Sequence, residues 1–387
     1  MLPGFEPVSL DAHLRRFKRE AEKTAPCYDA TFSVGEGRYE DGPCATATVD
    51  MDCQGPGWKV QSEVVFYGLA EFNNIYMGMP GPKRFLQGFL SVLDLCLTGA
   101  ALRYLRDGWR FFLFFLSPFL VVAVMLALIA LAALPPVLMG IWHAAWSVPL
   151  AFALSLGASA LGRRTHVPLI MDLWMLTVDV ARGRRPEVNL VLDAVVEDIA
   201  ARIAASNADE IIVVGHSFGA IPAIMALADA RVTRVAQTRP VGLLAAGSFL
   251  LAVAHHPAAK SLREASRRVM RSAIAWLDAQ SHTDPVNFFR TNPADALRVD
   301  VARRPSICEV RFKHQLSPES YRAIRGDFFR THRQFVFGVE RRSHYSLFAI
   351  IGGPERFADV TARGGLLPDW TRYAVSELGA NRRNSMP

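Results

Sequence analysis

The chain has 387 residues, of which 51% are hydrophobic and 20% are charged, and its formal net charge is +7. This composition excludes a disordered or collagen-like chain. The basic residues are scattered and form no run with interleaved aromatic residues, so we expect no nucleic-acid partner. The charges avoid one stretch, because no Asp, Glu, Lys or Arg lies between Phe111 and Gly162. We therefore expect a soluble domain that is interrupted by a membrane insert.

The cysteines exclude two further classes of protein. They are odd in number and contain no C-x-x-C pair, which argues against a disulfide framework and against a zinc site. We accordingly expect no metal and no cofactor. Residues 1–30 lack the apolar stretch of a signal peptide, so no export of the N-terminus is expected. The five cysteines are Cys27, Cys44, Cys53, Cys96 and Cys308.

The chain begins with a region, residues 1–43, that we interpret as an N-terminal extension. Residues 44–110 are then expected to be the first part of the soluble domain. Cys44–Asp52 and Lys59–Gly68 are rich in β-formers, and the Gln54–Gly57 turn separates them. This pattern predicts a β-hairpin that joins the main sheet.

An amphipathic helix is predicted between Arg84 and Arg110. Its apolar side chains recur close to a 3.6-residue period. We expect this stripe to pack on a sheet, with contact to lipid as the alternative. The residues of the stripe are Leu86, Phe89, Leu90, Leu93, Leu97 and Leu105.

The uncharged stretch, residues 111–162, predicts a transmembrane helical hairpin. Phe111–Leu134 is long enough to cross a bilayer, Pro135 and Pro136 end it, and Val137–Gly157 provides a second run. An apolar lid of a soluble protein, or a monotopic membrane insert, is the alternative. Arginines flank both sides, so the positive-inside rule places the soluble domain on the cytoplasmic side of the inner membrane. These arginines are Arg103, Arg106, Arg110, Arg163 and Arg164.

The remainder of the domain is expected to span residues 163–380, followed by a tail at 381–387. Predicted helices alternate here with predicted strands, which indicates a mainly parallel sheet covered by helices on both faces. The predicted helices are Glu187–Ser206 and Ala220–Ala230, and the predicted strands are Glu210–Val214, Val241–Ala246, Ala273–Leu277 and Ser306–Phe312.

A G-x-S-x-G motif lies at one of these strand-to-helix junctions. It runs from Gly215 through Ser217 to Gly219. A tight turn at such a junction needs small residues around its serine, and the turn then projects the serine hydroxyl above the sheet. The motif therefore predicts that Ser217 is a nucleophile.

With this motif the chain resembles the α/β-hydrolase superfamily from about Lys59 to Gly353, and most of all its membrane-anchored bacterial members of unknown substrate. The resemblance implies a triad of serine, acid and histidine in that chain order. It also implies an oxyanion hole, made by the N–H of Phe218 and by that of Leu69 in the loop after an early strand. The usual histidine of that loop is replaced by Tyr67. The expected fold is thus an α/β-hydrolase domain with an inserted transmembrane hairpin.

The acid of the triad is expected in the segment after the strand that begins near Ala273. Asp284 is preferred, because it lies beyond the strand end at a D-P turn from which a carboxylate can reach a histidine. Asp278 is the alternative, although it falls inside the strand or at its edge.

The histidine has more than one candidate. The segment Gly326–Val336 resembles the histidine-bearing segment of the membrane-anchored bacterial members, which favours His332. Local pattern favours His344, because Phe335–Val339 reads as a strand followed by a loop and that histidine. His314 comes almost immediately after the last strand and is too early.

We therefore expect a membrane-anchored serine hydrolase that cleaves a lipophilic carboxylic ester or thioester through an acyl-enzyme. Its expected partners are this substrate and the lipid bilayer. An acyltransferase or thioesterase with the same triad is an alternative, because only access of the acyl acceptor separates them. A catalytically inactive hydrolase fold that serves as a membrane scaffold is a further alternative.

Overall fold

The computed structural model describes residues 1–42, 44–138, 166–368 and 370, together with the isolated positions 153 and 157. Within these residues the protein is a mixed α/β structure with one antiparallel and one parallel sheet. The strands are β1 Thr31–Val34, β2 Arg38–Glu40, β3 Thr46–Gly55, β4 Trp58–Tyr67, β5 Ile211–His216, β6 Val241–Ala246, β7 Ala275–Gln280 and β8 Ser306–Glu309.

Most of the remaining described residues are helical. The α-helices are α1 Leu10–Thr24, α2 Ala70–Met77, α3 Gly81–Leu97, α4 Ala100–Asp107, α5 Trp109–Leu138, α6 Val167–Arg182, α7 Pro186–Ala205, α8 Ala220–Leu227, α9 Ala230–Val235, α10 Leu250–Ala254, α11 Lys260–Arg271, α12 Pro293–Ala296, α13 Phe312–Gln315, α14 Pro318–Ile324, α15 Phe328–Arg333, α16 Leu347–Gly352 and α17 Phe357–Ala362. Local sequence explains several helix starts. Ser9 accepts a hydrogen bond from the Ala12 N–H at the start of α1, and Pro186 occupies the first turn of α7.

The predicted hairpin is β3 and β4, joined by a tight turn in which Gly57 takes a positive φ of 78°. β1 and β2 also pair with β3, along its other edge. All of these pairings are antiparallel. The hairpin therefore does not pair directly with the parallel sheet, because these four strands form a sheet of their own.

The parallel sheet has the order β5-β6-β7-β8. Alternate side chains of its strands enter two hydrophobic clusters. Val213 and Leu243 belong to one cluster, and Val214 and Leu244 belong to the other. Helix α8 packs on β5 and β6, while α17 contacts β7. The predicted parallel sheet with helices on both faces is thus confirmed as an architecture.

Residues 1 and 2 lie between the two sheets. The Tyr67 N–H donates to the Met1 carbonyl at 3.1 Å, the Leu2 N–H donates to Val214 at 2.9 Å, and the His216 N–H donates back to Leu2 at 3.0 Å. This short segment therefore bridges β4 to β5 and makes the two sheets continuous. The region interpreted as an N-terminal extension is in fact an integral part of the domain, because it supplies this bridge, α1, β1 and β2.

The predicted amphipathic helix is divided into α3 and α4. Gly99, with φ of 74°, separates them, and their axes meet at 70°. The side of α3 that packs against α6 carries Gly88, Val92 and Leu95. The predicted stripe is exposed, so the expectation that it packs on a sheet is wrong: the smaller residues of α3 form its packed side.

The described part of the predicted membrane hairpin is α5. The first predicted span, Phe111–Leu134, lies within this helix, whereas most of the second, Val137–Gly157, lies outside the described residues. The predicted tail at 381–387 also lies outside them. Among the described residues no single helix meets the length and hydropathy expected of a membrane span, and only the bent pair of α3 and α4 does so when combined.

Candidate active site

The turn between β5 and α8 holds Ser217 in a conformation that few residues adopt. Its φ is 53°, in the left-handed region that is costly for a residue with a Cβ atom. The turn is tight, because a Cβ atom added to Gly215 would lie 2.5 Å from the Ala220 Cα. Helix α8 begins at Ala220, so the serine lies at the junction that the sequence predicts.

Asp284 and His332 meet although 48 positions separate them in the chain. The His332 Nδ1–H donates to Asp284 Oδ2 at 2.9 Å. The other contacts of the carboxylate are donors: the Val286 N–H reaches Oδ1 at 2.9 Å, and the Asn287 side-chain amide reaches Oδ2 at 2.9 Å. Asp284 is fully buried. These contacts fix the orientation of the carboxylate towards His332.

His332 presents its second nitrogen without a partner. It lies on α15, a short helix whose start is capped by the Asp327 side chain. With Nδ1 bound to Asp284, His332 Nε2 has no hydrogen-bond partner among the residues that the structure describes, although it is buried. A buried imidazole nitrogen without a partner normally carries an energetic cost. Such a nitrogen is available to accept a proton from a neighbouring hydroxyl.

The loop after β6 brings Ser217 and His332 to the same place. The Phe249 N–H donates to the Ser217 carbonyl at 3.1 Å. Gly247, two residues earlier, has a positive φ of 55°, and a Cβ atom on it would lie 3.1 Å from His332 Cε1. Both Ser217 and His332 therefore border this loop. A triad requires its serine and its histidine to lie close together in this way.

His216 supports the candidate base from the other side. The centroids of the His216 and His332 rings are 4.8 Å apart, and His216 Nε2 donates to the His332 carbonyl at 3.2 Å. Burial lowers the pKa of His216 to about 3. His216 is therefore neutral, and it holds the backbone of His332 rather than competing for a proton.

The other candidates lie elsewhere. His344 Nε2 donates to the Glu309 carbonyl at 3.0 Å, at the end of β8, and His314 is exposed on α13. The strand expected at Phe335–Val339 is absent, because residues 334–336 form a 3-10 turn. The structure thus brings His332, and not His344, to Asp284.

Asp278, the alternative acid, is buried in the middle of β7. The Gln280 side-chain amide donates a hydrogen bond to it at 3.1 Å. Burial raises the pKa of Asp278 from 3.8 to about 7. The carboxyl is therefore mainly protonated below about pH 7, and it is not bound to the candidate base.

This burial predicts a pH-dependent effect of Asp278→Asn on stability. Between pH 3.8 and about 7 the folded protein binds more protons at this site than the unfolded chain, so its free energy of unfolding falls as pH rises. Asparagine does not ionise, so the variant does not lose this part of its free energy of unfolding as pH rises. We expect the variant to gain thermal stability over the parent as pH rises from about 4 to about 8. Thermal unfolding at several pH values measures this, and a gain that is the same at all pH values would contradict it.

The two expected oxyanion donors differ in their positions. Phe218 directly follows Ser217, and its buried ring packs edge-on against Phe72 at 5.4 Å. Leu69 is buried in the loop after β4. However, β4 is not the neighbour of β5, because residues 1 and 2 lie between them. The loop that contains Leu69 therefore follows a strand that is separated from β5 by residues 1 and 2, whereas the chain directly after these two residues borders Ser217.

The segment beside Ser217 is Pro3–Phe5, which sequence reasoning missed. A Cβ atom on Gly4 would lie 2.9 Å from the Ser217 Cβ and 3.1 Å from His216 Nδ1. Only a glycine lets the backbone approach this closely. The signal in the sequence is weak, since it consists of a Pro-Gly pair after two apolar residues.

A buried ion pair holds this segment in place. The Glu6 carboxylate accepts a hydrogen bond from Arg16 Nη2 at 2.8 Å, and Arg333, next to His332, lies 3.8 Å from it. Burial by itself would raise the pKa of Glu6, but the hydrogen bond and the charge of Arg16 lower it below the ordinary value. The segment that borders Ser217 is thus tied both to α1 and to α15.

The comparisons with known proteins identify no relative. No protein-family model matches the chain, no curated protein matches it, and no solved structure matches it. Among the residues that the structure describes, no group of three or more His, Cys, Asp or Glu side chains could hold a metal ion. The interpretation of the site therefore depends on its own geometry.

Proposed function

We propose that this protein is a membrane-associated serine hydrolase of the α/β-hydrolase type, acting on a lipophilic carboxylic ester or thioester. One observation carries the proposal: Asp284 and His332 form a buried pair, and the loop after β6 borders both His332 and Ser217, whose conformation at a strand-to-helix turn is left-handed. Strain of this kind is tolerated where the surrounding structure determines it, and it is frequent at nucleophiles.

The chemistry follows from the roles that these groups can take. A serine hydroxyl is a weak nucleophile near neutral pH and needs a base. His332 Nε2 would accept its proton, while Asp284 holds the ring in the required tautomer and stabilises the imidazolium. Backbone N–H groups, that of Phe218 among them, would stabilise the tetrahedral oxyanion. Collapse of this intermediate breaks the ester or thioester bond, and the protonated His332 gives its proton to the departing alcohol or thiol. Water, activated by His332, then hydrolyses the acyl-enzyme and frees the carboxylic acid and Ser217.

The apolar surroundings of the site support a lipophilic substrate. The Phe111 ring at the start of α5 stacks on Phe288 at 4.2 Å, and the Phe114 ring contacts Phe328 on α15 at 5.2 Å. Phe288 follows the Asp284 loop, and Phe328 shares a helix with His332. The beginning of the uncharged stretch thus packs on both segments that carry the candidate catalytic groups, which supports an acyl substrate delivered from the inner membrane.

A fluorophosphonate probe tests the nucleophile directly, because it reacts with activated serines. We expect the purified full-length chain to be labelled and Ser217→Ala to lose the label entirely. Ser266→Ala is the matched control, since Ser266 is also buried but donates only to a carbonyl of its own helix. Its labelling should equal that of the parent. Absence of labelling in a folded parent protein would contradict the proposal and favour an inactive scaffold.

A further inference from the structure

Helices α3 and α4 expose an unusual number of large apolar side chains. Leu97 is 78% exposed and Leu102 is 69% exposed. On α3 these side chains share one side of the helix, as their spacing requires. We call this set the α3–α4 apolar surface. It consists of Phe85, Leu86, Phe89, Leu90, Leu93, Leu97, Leu102 and Leu105.

This surface is not the side by which the helices join the domain. Helix α3 uses its opposite side against α6, where Gly88 permits close approach to Met171. The Tyr104 side chain of α4 is fully buried and donates its hydroxyl to the Ala252 carbonyl. Both helices are therefore anchored, and their outer side remains apolar. An exposed apolar stripe of this length needs an apolar partner of its own.

The surface continues onto α5. The ring centroids of Phe89 on α3 and Phe119 on α5 are 6.5 Å apart, so the two helices are in contact. On either side of this contact α5 exposes further apolar residues, which are Trp109, Leu113, Leu120 and Val124. Soluble monomers rarely expose continuous apolar patches of more than a few hundred Å². The surface therefore adjoins the helix that begins the predicted membrane insert.

The charges around the surface favour one kind of partner. Residues 81–110 contain five basic and only two acidic side chains. Both acidic side chains are already paired: Asp94 binds Arg182 at 2.6 Å, and Asp107 binds Arg106 at 2.6 Å.

Two of the basic side chains are paired as well, Arg84 with Asp172 and Arg106 with Asp107. Lys83, Arg103 and Arg110 have no acidic partner among the described residues, and the two arginines bind only backbone carbonyls and a histidine. The rim of the surface therefore keeps an excess of positive charge. An apolar helix face with a basic rim is the pattern that lies in the headgroup region of an anionic bilayer.

We propose that the α3–α4 apolar surface rests on the anionic leaflet of the bilayer, with its side chains among the upper acyl chains. This contact adds to the membrane association of the protein and orients the domain against the bilayer. It rests on the membrane association in the proposed function, but it is independent of the hydrolase chemistry.

Cys96 provides a native reporter, because it is exposed on the same side of α3. The full chain carrying Cys27→Ser is labelled at Cys96 with the fluorophore NBD and reconstituted in vesicles of phosphatidylcholine and phosphatidylglycerol. We expect the NBD emission to shift to the blue, spin-labelled lipid to quench it, and iodide to lose most of its quenching. The matched control carries Lys18→Cys in a Cys96→Ser background, and iodide should quench its probe fully.

Three results would overturn the proposal. Equal iodide quenching of the Cys96 and control probes would place the surface in water. Protection of Cys96 from both quenchers would show that another segment of the chain covers it. Efficient crosslinking between the Cys96 residues of two copies would show that a second copy covers it.

A pair of substitutions gives an independent test. We expect Leu90→Glu combined with Leu93→Glu to abolish lipid quenching of the Cys96 probe, because charges are not accepted among acyl chains. Leu190→Glu is the control, since Leu190 is equally an exposed leucine but lies on α7. Fluorophosphonate labelling in detergent should be unchanged in both variants. Failure of this contact and failure of the hydrolase assignment are thereby distinguished.

Discussion

Replacement of Asp284 by asparagine is expected to lower kcat for ester hydrolysis by about 10⁴-fold in a protein that still folds. Asparagine matches the shape of the aspartate, so its oxygen can still accept the Val286 N–H. Its side chain lacks the negative charge that stabilises the imidazolium of His332. It also offers an N–H in place of an acceptor, which favours the wrong histidine tautomer.

Two further variants make this prediction specific. His332→Ala should lose as much activity as Asp284→Asn, because the two groups act as a unit. His344→Ala should retain most of the activity, since His344 binds the Glu309 carbonyl instead of Asp284. Hydrolysis of a p-nitrophenyl ester in detergent measures the activity of each variant, and thermal unfolding shows whether the variant is folded. Full turnover in a folded Asp284→Asn variant would remove Asp284 from the triad.

Substitution of Gly219 by alanine is expected to lower the free energy of unfolding by about 1 to 3 kcal/mol and to abolish probe labelling at Ser217. A Cβ atom on Gly219 would collide with the Leu2 carbonyl and would lie 2.5 Å from the Pro3 carbonyl oxygen. These are backbone atoms of the bridge between the two sheets, so no side-chain rotation relieves the collision. The bridge or the turn must move instead, and Ser217 moves with either.

Gly81→Ala is the matched control for this substitution. Gly81 begins α3, and a Cβ atom on it would have no heavy atom within 4 Å. Its stability and labelling should equal those of the parent. Chemical denaturation gives the free energy, and the fluorophosphonate probe reports the turn. Normal stability and labelling in Gly219→Ala would mean that residues 2 and 3 do not pack against the turn at Ser217.

Elements with a strong local signal were predicted well. The predicted strand Val241–Ala246 has the observed bounds, and the predicted helix Glu187–Ser206 is displaced by one residue from α7. A continuous apolar run and a helical period are properties of adjacent residues, so neighbouring side chains alone specify them. The turn at Ser217 belongs to the same class, because Gly215 is required by the close approach of Ala220, which follows shortly after it in the chain.

Contacts between distant segments could not be predicted in this way. The bridge by residues 1 and 2 is too short to show any periodicity. Local pattern favours His344, because it predicts a strand at Phe335–Val339. The structure has a 3-10 turn there instead. The resemblance implies an oxyanion donor at Leu69, whereas the structure places Gly4 beside Ser217.

The sequence by itself determined the parallel α/β architecture, the strand-to-helix turn at Ser217 and the positions of the two candidate acids, because each depends on residues close together in the chain. Only the tertiary structure decided which histidine meets Asp284, which backbone borders Ser217 and which side of α3 faces outward. Those outcomes depend on how separate elements pack, and packing is determined by the shapes and charges of all the elements together.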